Sequence, residues 1–266
     1  MRVINFFFLF LLSAIGCGLS AQELKKVPNT AFIRGEKFTF RAYYDSFITG
    51  KVTAGEATLE VKFENKQFDG RNTYHLVGRG KSKGAFNLFF KVDDRFESYM
   101  DEEYLVPWRF LRFTREGDYR KEDEVIFNQY SQNASSRTAN KKVPPAVHDV
   151  LSAFFFARNN DFSNVAIGET FPITFFLDDS VYVSFIKFVG KEEVITDIGR
   201  FRCLRFKPMV ATGKVFSQPY PMDIWISDDQ NHIPVLAKSE VVVGSVKLEL
   251  IQYQGLANPL TALISK

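Results

Sequence analysis

Apolar and polar residues alternate with a period of two along most of this chain. In residues 37–44, Phe38, Phe40, Ala42 and Tyr44 alternate with Lys37, Thr39, Arg41 and Tyr43. In 56–64, Ala57, Leu59, Val61 and Phe63 alternate with Glu56, Thr58, Glu60, Lys62 and Glu64. Such runs describe strands of an antiparallel sheet with one dry face and one wet face. Asp69-Gly70 is a hairpin turn signal between 62–68 and 73–77. Further strands are expected at 89–99, 108–114, 124–129, 171–177, 181–189, 194–196, 201–208, 222–227, 235–243 and 245–253. Asp178-Asp179, Gly190-Lys191, Gly199 and the run 228–231 punctuate them as turns. One stretch keeps a helical period. Val147, Val150, Leu151, Phe154 and Phe155 follow Pro144-Pro145, which predicts a helix over 145–158 with one buried face. The polar run 131–142 before it predicts a mobile loop.

The strand landmarks recur. Gly35-Glu36-Lys37-Phe38 opens one alternating run and Gly168-Glu169-Thr170-Phe171 opens another. Gly84-Ala85-Phe86 is echoed at Gly213-Lys214-Val215-Phe216, and Asp101-Glu102 with Pro107 at Asp228-Asp229 with Pro234. Landmarks repeated in one order at slowly shrinking offsets are what an old duplication leaves. The expected organisation is a first β-half at 22–140, a connecting helix at 141–160, a second β-half at 161–255 and a tail at 256–266, all around one core. The expected fold is mainly β: an antiparallel curved sheet, barrel-like, built from two related halves with the amphipathic helix between them.

Residues 1–21 stand outside this pattern. Arg2, an apolar run over 3–15 and small residues up to Ala21 read as a secretory signal peptide cleaved before Gln22. Ala14-Ile15-Gly16-Cys17 offers the alternative of a lipoprotein anchored at Cys17. With a formal net charge of +3 and both signs interspersed, the chain shows no polyanion-binding stripe, so nucleic acid is not an expected partner. Cleavage would leave Cys203 as the sole cysteine, in the alternating run 201–206, where it reads as a buried inert thiol. Phenylalanine is in surplus, 29 of 266 residues, which suits a half-buried pleated surface and also the lining of an apolar cavity.

Candidate chemistry is thin. Gly78-Arg79-Gly80-Lys81-Ser82 ends like a phosphate loop, but His75 stands where that motif needs glycine, so a basic turn is expected. His75, His148 and His232 follow no metal-ligand spacing. His148, Asp149 and Ser152 could suggest a hydrolytic triad, but adjacent residues diverge on a helix, and a solvated helix face is expected. The acidic groups Asp93-Asp94, Asp101-Glu102-Glu103, Asp178-Asp179 and Asp228-Asp229 fall at strand ends, where carboxylates shape turns. Carboxylates paired across a cleft, such as Asp101 and Asp228, could also hydrolyse a glycoside. No cofactor, metal ligand, catalytic residue or specific ligand-binding residue is expected from these patterns.

Gly35-Glu36-x-Phe38, Gly50 with Gly55-Glu56-Ala57, Asp94-Arg95-Phe96-Glu97-Ser98, the run 147–154 and the run 225–234 resemble the DUF3108 family of exported bacterial proteins. The resemblance spans roughly 32–255. It implies an exported protein with an antiparallel barrel-like fold, and brings no reaction or functional residue with it. The expected function is an envelope protein, periplasmic or outer-membrane-anchored, that binds or carries an apolar or amphipathic component: a lipid, glycolipid or lipoprotein acyl chain. The alternatives are a polysaccharide-acting enzyme and a structural scaffold that binds envelope proteins.

Overall fold

The computed structural model describes residues 24–47, 50–209, 222–240 and 244–265. The leader, Cys17 and the echo at Gly213–Phe216 lie outside the described residues. In chain order the strands are β1 (Lys37–Ser46), β2 (Gly50–Val61), β3 (Lys66–Phe68), β4 (Arg71–Ser82), β5 (Asp93–Asp101), β6 (Pro107–Glu116), β7 (Tyr119–Asn128), β8 (Asn133–Ser135) and β9 (Asn140–Lys142). They continue as β10 (Thr170–Leu177), β11 (Ser180–Thr196), β12 (Gly199–Pro208), β13 (Met222–Ser227), β14 (Pro234–Glu240), β15 (Ser245–Gln254) and β16 (Leu263–Ser265). A single turn α1 (Phe86–Phe89) and a helix α2 (Val150–Ala157) interrupt them.

Among the described residues the sixteen strands form one antiparallel sheet; fourteen follow the order β10-β11-β12-β13-β14-β15-β1-β2-β4-β5-β6-β7-β8-β9, while β3 pairs with β4 and β16 with β12 off this path. The fold is mainly β, as the alternation predicts. Each half is an up-and-down meander, and the join is the β1–β15 pair, which runs from Lys37–Gln254 to Asp45–Ser245. The two entering turns are built alike. Gly35 N–H donates to Val61 O, Glu36 N–H to Ile33 O, and Val61 N–H to Glu36 O. In the second half Gly168 N–H donates to Phe188 O, Glu169 N–H to Ala166 O, and Phe188 N–H to Glu169 O. Both glycines hold positive φ, 87° and 91°, which explains why the motif opens on glycine. The β5–β6 and β13–β14 connections also match: each follows a bulge, and each returning strand begins on proline, Pro107 or Pro234.

The sheet stays open, but its edges are brought together. His148 forms a parallel bridge to Phe175, with His148 N–H donating to Thr174 O and Phe176 N–H to His148 O. Phe110, Phe127 and Ala134 of one edge region pack with Phe176 of the other and with Val147 of the segment that leads into α2. Arg112 and Lys121 both reach Asp178 on the β10–β11 turn.

Several elements differ from the sequence expectation. The predicted helix at 145–158 begins only at Val150, because Val147–Asp149 is taken up by the bridge to β10 and Ala146 adopts a positive φ of 54°. Asp149 is the N-cap: its carboxylate accepts from the N–H groups of Leu151 and Ser152, while Ser152 Oγ accepts from Asp149 N–H, a reciprocal capping box. The predicted mobile loop 131–142 is the β8–β9 hairpin, with Ser136 Oγ and Thr138 Oγ1 both donating to Asp179 at 2.6 Å. Gly190-Lys191 is a bulge inside the long strand β11 and not a turn. The expected basic turn at Gly78–Ser82 is the end of β4, paired with β2 throughout and with β5 as far as Lys81. Residues 89–92 precede β5, with Phe89 closing α1.

Candidate functional site

Three rows of side chains cross the sheet from strand to strand on the face that covers α2. The first reads Phe38, Leu59, Gly78, Phe96. The second reads Leu250, Phe40, Ala57, Gly80, Asp94, and the third Leu248, Ala42, Gly55, Ser82. Successive rows lose side-chain volume in the middle of the sheet. Helix α2 covers the first row. A β-carbon on Gly78 would sit 3.2 Å from Leu151 Cδ2, so the strand is bare there to let the helix approach. A β-carbon on Gly80 would meet nothing within 4 Å. The motif Gly78-x-Gly80 thus admits the helix at one position and leaves space at the next.

That space is an apolar trough. Its inner compartment, about 340 Å³, is bounded by Phe40, Leu59, Phe96, Leu151, Phe154 and Leu248, with Arg79 and Asp94 among its few polar neighbours. A second compartment of about 300 Å³ shares Ala57, Gly80 and Leu248 with the first. It passes into a third of about 610 Å³ through Tyr44, Phe86, Phe90 and Val246. Behind Phe154, a recess of about 60 Å³ ends among Phe162, Phe171 and Phe206. The trough therefore runs from a floor made by α2 to a mouth where β1 ends, β2 begins and α1 lies. Protein interiors normally leave few voids larger than a water molecule. The phenylalanine surplus serves both expected purposes: Phe38, Phe110, Phe155 and Phe201 fill core, while Phe40, Phe86, Phe90 and Phe96 line the trough.

The residues considered for chemistry are otherwise engaged. His148, Asp149 and Ser152 are all buried rather than solvated, and His148 precedes the helix instead of sharing a face with Ser152. Asp149 Oδ2 accepts from Ser98 Oγ at 2.6 Å. Burial pushes the Asp149 carboxyl up to about 6 against its hydrogen bonds from Ser98, Ser152 and Leu151, and burial pushes the His148 imidazole down to about 3. Asp101 is fully buried; Arg71, Trp108 Nε1 and the N–H groups of Glu103 and Tyr104 all donate to it. Burial alone would raise its carboxyl, but those donors outweigh burial and hold it below the usual range. Asp228 pairs with Lys191 at the surface, and Asp229 accepts from Ser227 Oγ and the N–H groups of Asn231 and Ala262. These are turn-building roles. His75 lies between Glu64 and Glu97, and His232 Nδ1 sits 2.6 Å from Arg158 O. Burial, with Glu192, Asp228 and Asp229 nearby, pushes the Cys203 thiol up to about 12, which suits an inert core residue. Sequence reasoning missed Gly78, Gly80 and Ala57 as site residues. The available signal was the run of small residues at inward positions of adjacent alternating strands.

An open, barrel-like antiparallel sheet with a helical floor and an apolar trough defines the class of protein. The chain belongs to the family described as protein of unknown function DUF3108, whose model matches residues 39–251. No curated protein matches it. Among solved structures it is similar to a β-barrel-like protein of the domain of unknown function DUF1849 from Brucella abortus, at 9% identity and a TM-score of 0.52, covering 85% of this chain and 99% of the other. Weaker likenesses are a candidate lipoprotein from Parabacteroides distasonis (12% identity, TM-score 0.36, covering 88% and 100%) and a candidate exported protein with a YmcC-like fold from Bacteroides fragilis (13%, 0.36, 87% and 99%).

Proposed function

We propose that this chain is an exported binding or carrier protein that holds an apolar chain of an envelope lipid, glycolipid or lipoprotein in the trough along its inner face. The observation that carries the reading is the unfilled space over Ala57 and Gly80, bounded by Phe40, Phe96 and Leu248 and floored by Leu151 and Phe154. A pocket with many apolar walls and few polar groups suits an aliphatic ligand. Export is supported by the apolar leader over 3–15 and the small residues up to Ala21, with periplasmic release or anchoring at Cys17 as its two forms.

Gly80 provides the test, because its backbone lies in a regular strand and its missing side chain faces open space. Gly80→Phe should fill the trough with little strain. The expected result is an unchanged melting temperature and a loss of about tenfold or more in affinity for a fluorescent fatty-acid probe. Mass spectrometry of lipids extracted from the exported wild-type protein should show bound species that the variant lacks. Equal probe binding by both proteins would overturn the reading.

A further inference from the structure

The mouth of the trough carries a feature that ligand binding alone does not explain. In α1 and the residue after it, Leu88, Phe89 and Phe90 are 84%, 88% and 45% exposed, and across the mouth Phe47 at the end of β1 is fully exposed. Four large apolar side chains at one end of a sheet exceed the single exposed hydrophobics expected of a soluble surface. They are not detached from the trough: Phe86 and Phe90, on the same turn, form its wall. The segment 81–91 bears three lysines and no acid. Lys83 pairs with Glu56 and Lys81 approaches Asp93 at 3.9 Å, and in sequence Lys83 precedes the apolar turn while Lys91 follows it directly.

We propose that this tip is a membrane-docking wedge: Leu88, Phe89, Phe90 and Phe47 insert into the surface of a phospholipid bilayer, with Lys81, Lys83 and Lys91 at headgroup level. Aromatic and aliphatic side chains ringed by long basic ones suit the boundary between headgroups and acyl chains. Lysines also favour anionic headgroups. Because the wedge is continuous with the wall of the trough, docking sets its mouth against the bilayer, and an acyl chain crosses without passing through water. That purpose rests on the ligand reading above; the docking itself does not.

The experiment is co-sedimentation with vesicles of phosphatidylethanolamine and phosphatidylglycerol at 3:1, and with phosphatidylcholine vesicles as comparison. Wild type and Phe47→Ser/Leu88→Ser, which leaves the trough lining untouched, are prepared with identical N-termini, so any contribution of the leader or its anchor cancels. Both substituted side chains are exposed, so folding should be unaffected. The expected result is binding of the wild type, a drop in partition coefficient of at least about tenfold for the double variant, and retained uptake of the fatty-acid probe from solution. Lys81→Gln/Lys83→Gln/Lys91→Gln should weaken binding to the anionic vesicles more than to phosphatidylcholine. Equal sedimentation of wild type and double variant would overturn the proposal. So would a wild type that ignores vesicles but self-associates in light scattering through the same side chains. Vesicle binding that survives Gly80→Phe leaves docking standing even where the trough is shown to hold nothing.

Discussion

Arg158 should be among the most sensitive positions in the molecule. It caps the C-terminal end of α2, yet its side chain is 2% exposed and that of Glu36, just before β1, is 1% exposed. The pair is bidentate, Nη1 to Oε1 at 2.6 Å and Nη2 to Oε2 at 2.8 Å. The guanidinium also donates to the carbonyls of Asn231 and Ala31 and lies over the rings of Phe32, Phe38 and Phe155. One cation thus ties the first half, the helix and the second half together. Glu36→Gln keeps the shape but leaves a buried positive charge uncompensated, so it should cost about 3–5 kcal/mol, a large share of the 5–15 kcal/mol typical of a domain. Arg158→Met strands the carboxylate instead. Burial already raises the Glu36 carboxyl against the pull of Arg158. Without the guanidinium it rises further, so Arg158→Met should lose stability as pH climbs through that value and recover below it. The double variant Glu36→Gln/Arg158→Met should lie within about 2 kcal/mol of wild type, since neither unpaired charge remains. Glu169→Gln, at the equivalent and exposed position of the second half, is the control and should change stability by less than about 0.5 kcal/mol. Urea unfolding followed by fluorescence of the buried Trp108 and Trp225 reads both halves at once. Single-variant costs below about 1 kcal/mol, or costs that simply add in the double variant, would refute the reasoning.

The adjacent pair His148 and Asp149 should give opposing pH slopes. The lowered imidazole makes the fold lose stability as pH falls from about 6.5 toward 3, and the raised carboxyl makes it lose stability as pH rises from about 4 to 6. Melting temperature against pH should therefore show a stronger fall at low pH in Asp149→Asn and a gain between pH 6 and 4 in His148→Phe; profiles parallel to wild type would refute the assignment. In the β13–β14 turn, Asp229→Ala should cost about 1–3 kcal/mol by orphaning the donors from Ser227, Asn231 and Ala262, and Asp228→Ala, which breaks only an exposed pair with Lys191, less than about 1 kcal/mol. Thermal unfolding of the two single variants checks the order. Asp101→Asn should destabilise more than either, because the carboxylate joins Arg71, Trp108 and two backbone N–H groups in full burial, and its loss should show in urea unfolding.

The sheet was legible because its determinants are local. Alternation from Glu56 marks the second half of β2, which ends at Val61 and leaves Phe63 exposed, and Asp69-Gly70, both at positive φ, gives the hairpin of β3 and β4. What was missed depends on distant partners. The polar run 131–142 is ordered by Asp179, which no local pattern reveals. The helix starts late because β10 captures Val147–Asp149, and the hydrophobic spacing that suggested an earlier start serves two different contacts. The trough was illegible for a similar reason. Ala57 and Gly80 read as weak strand residues until register sets them side by side beneath Phe40.

The β1–β15 seam has a consequence for how the chain reaches this state. Strand β1 finds its second neighbour only in 245–254, the last long strand among the described residues. Until then β1 is an unpaired edge bearing Phe38 and Phe40, able to template association with other chains. Closing that pair joins residues some two hundred positions apart, so it belongs to the slow, high-contact-order class of folding events. A truncation before residue 245 should leave not a shortened barrel but two sticky half-sheets, and a holding chaperone would have most to do in the interval before the seam closes.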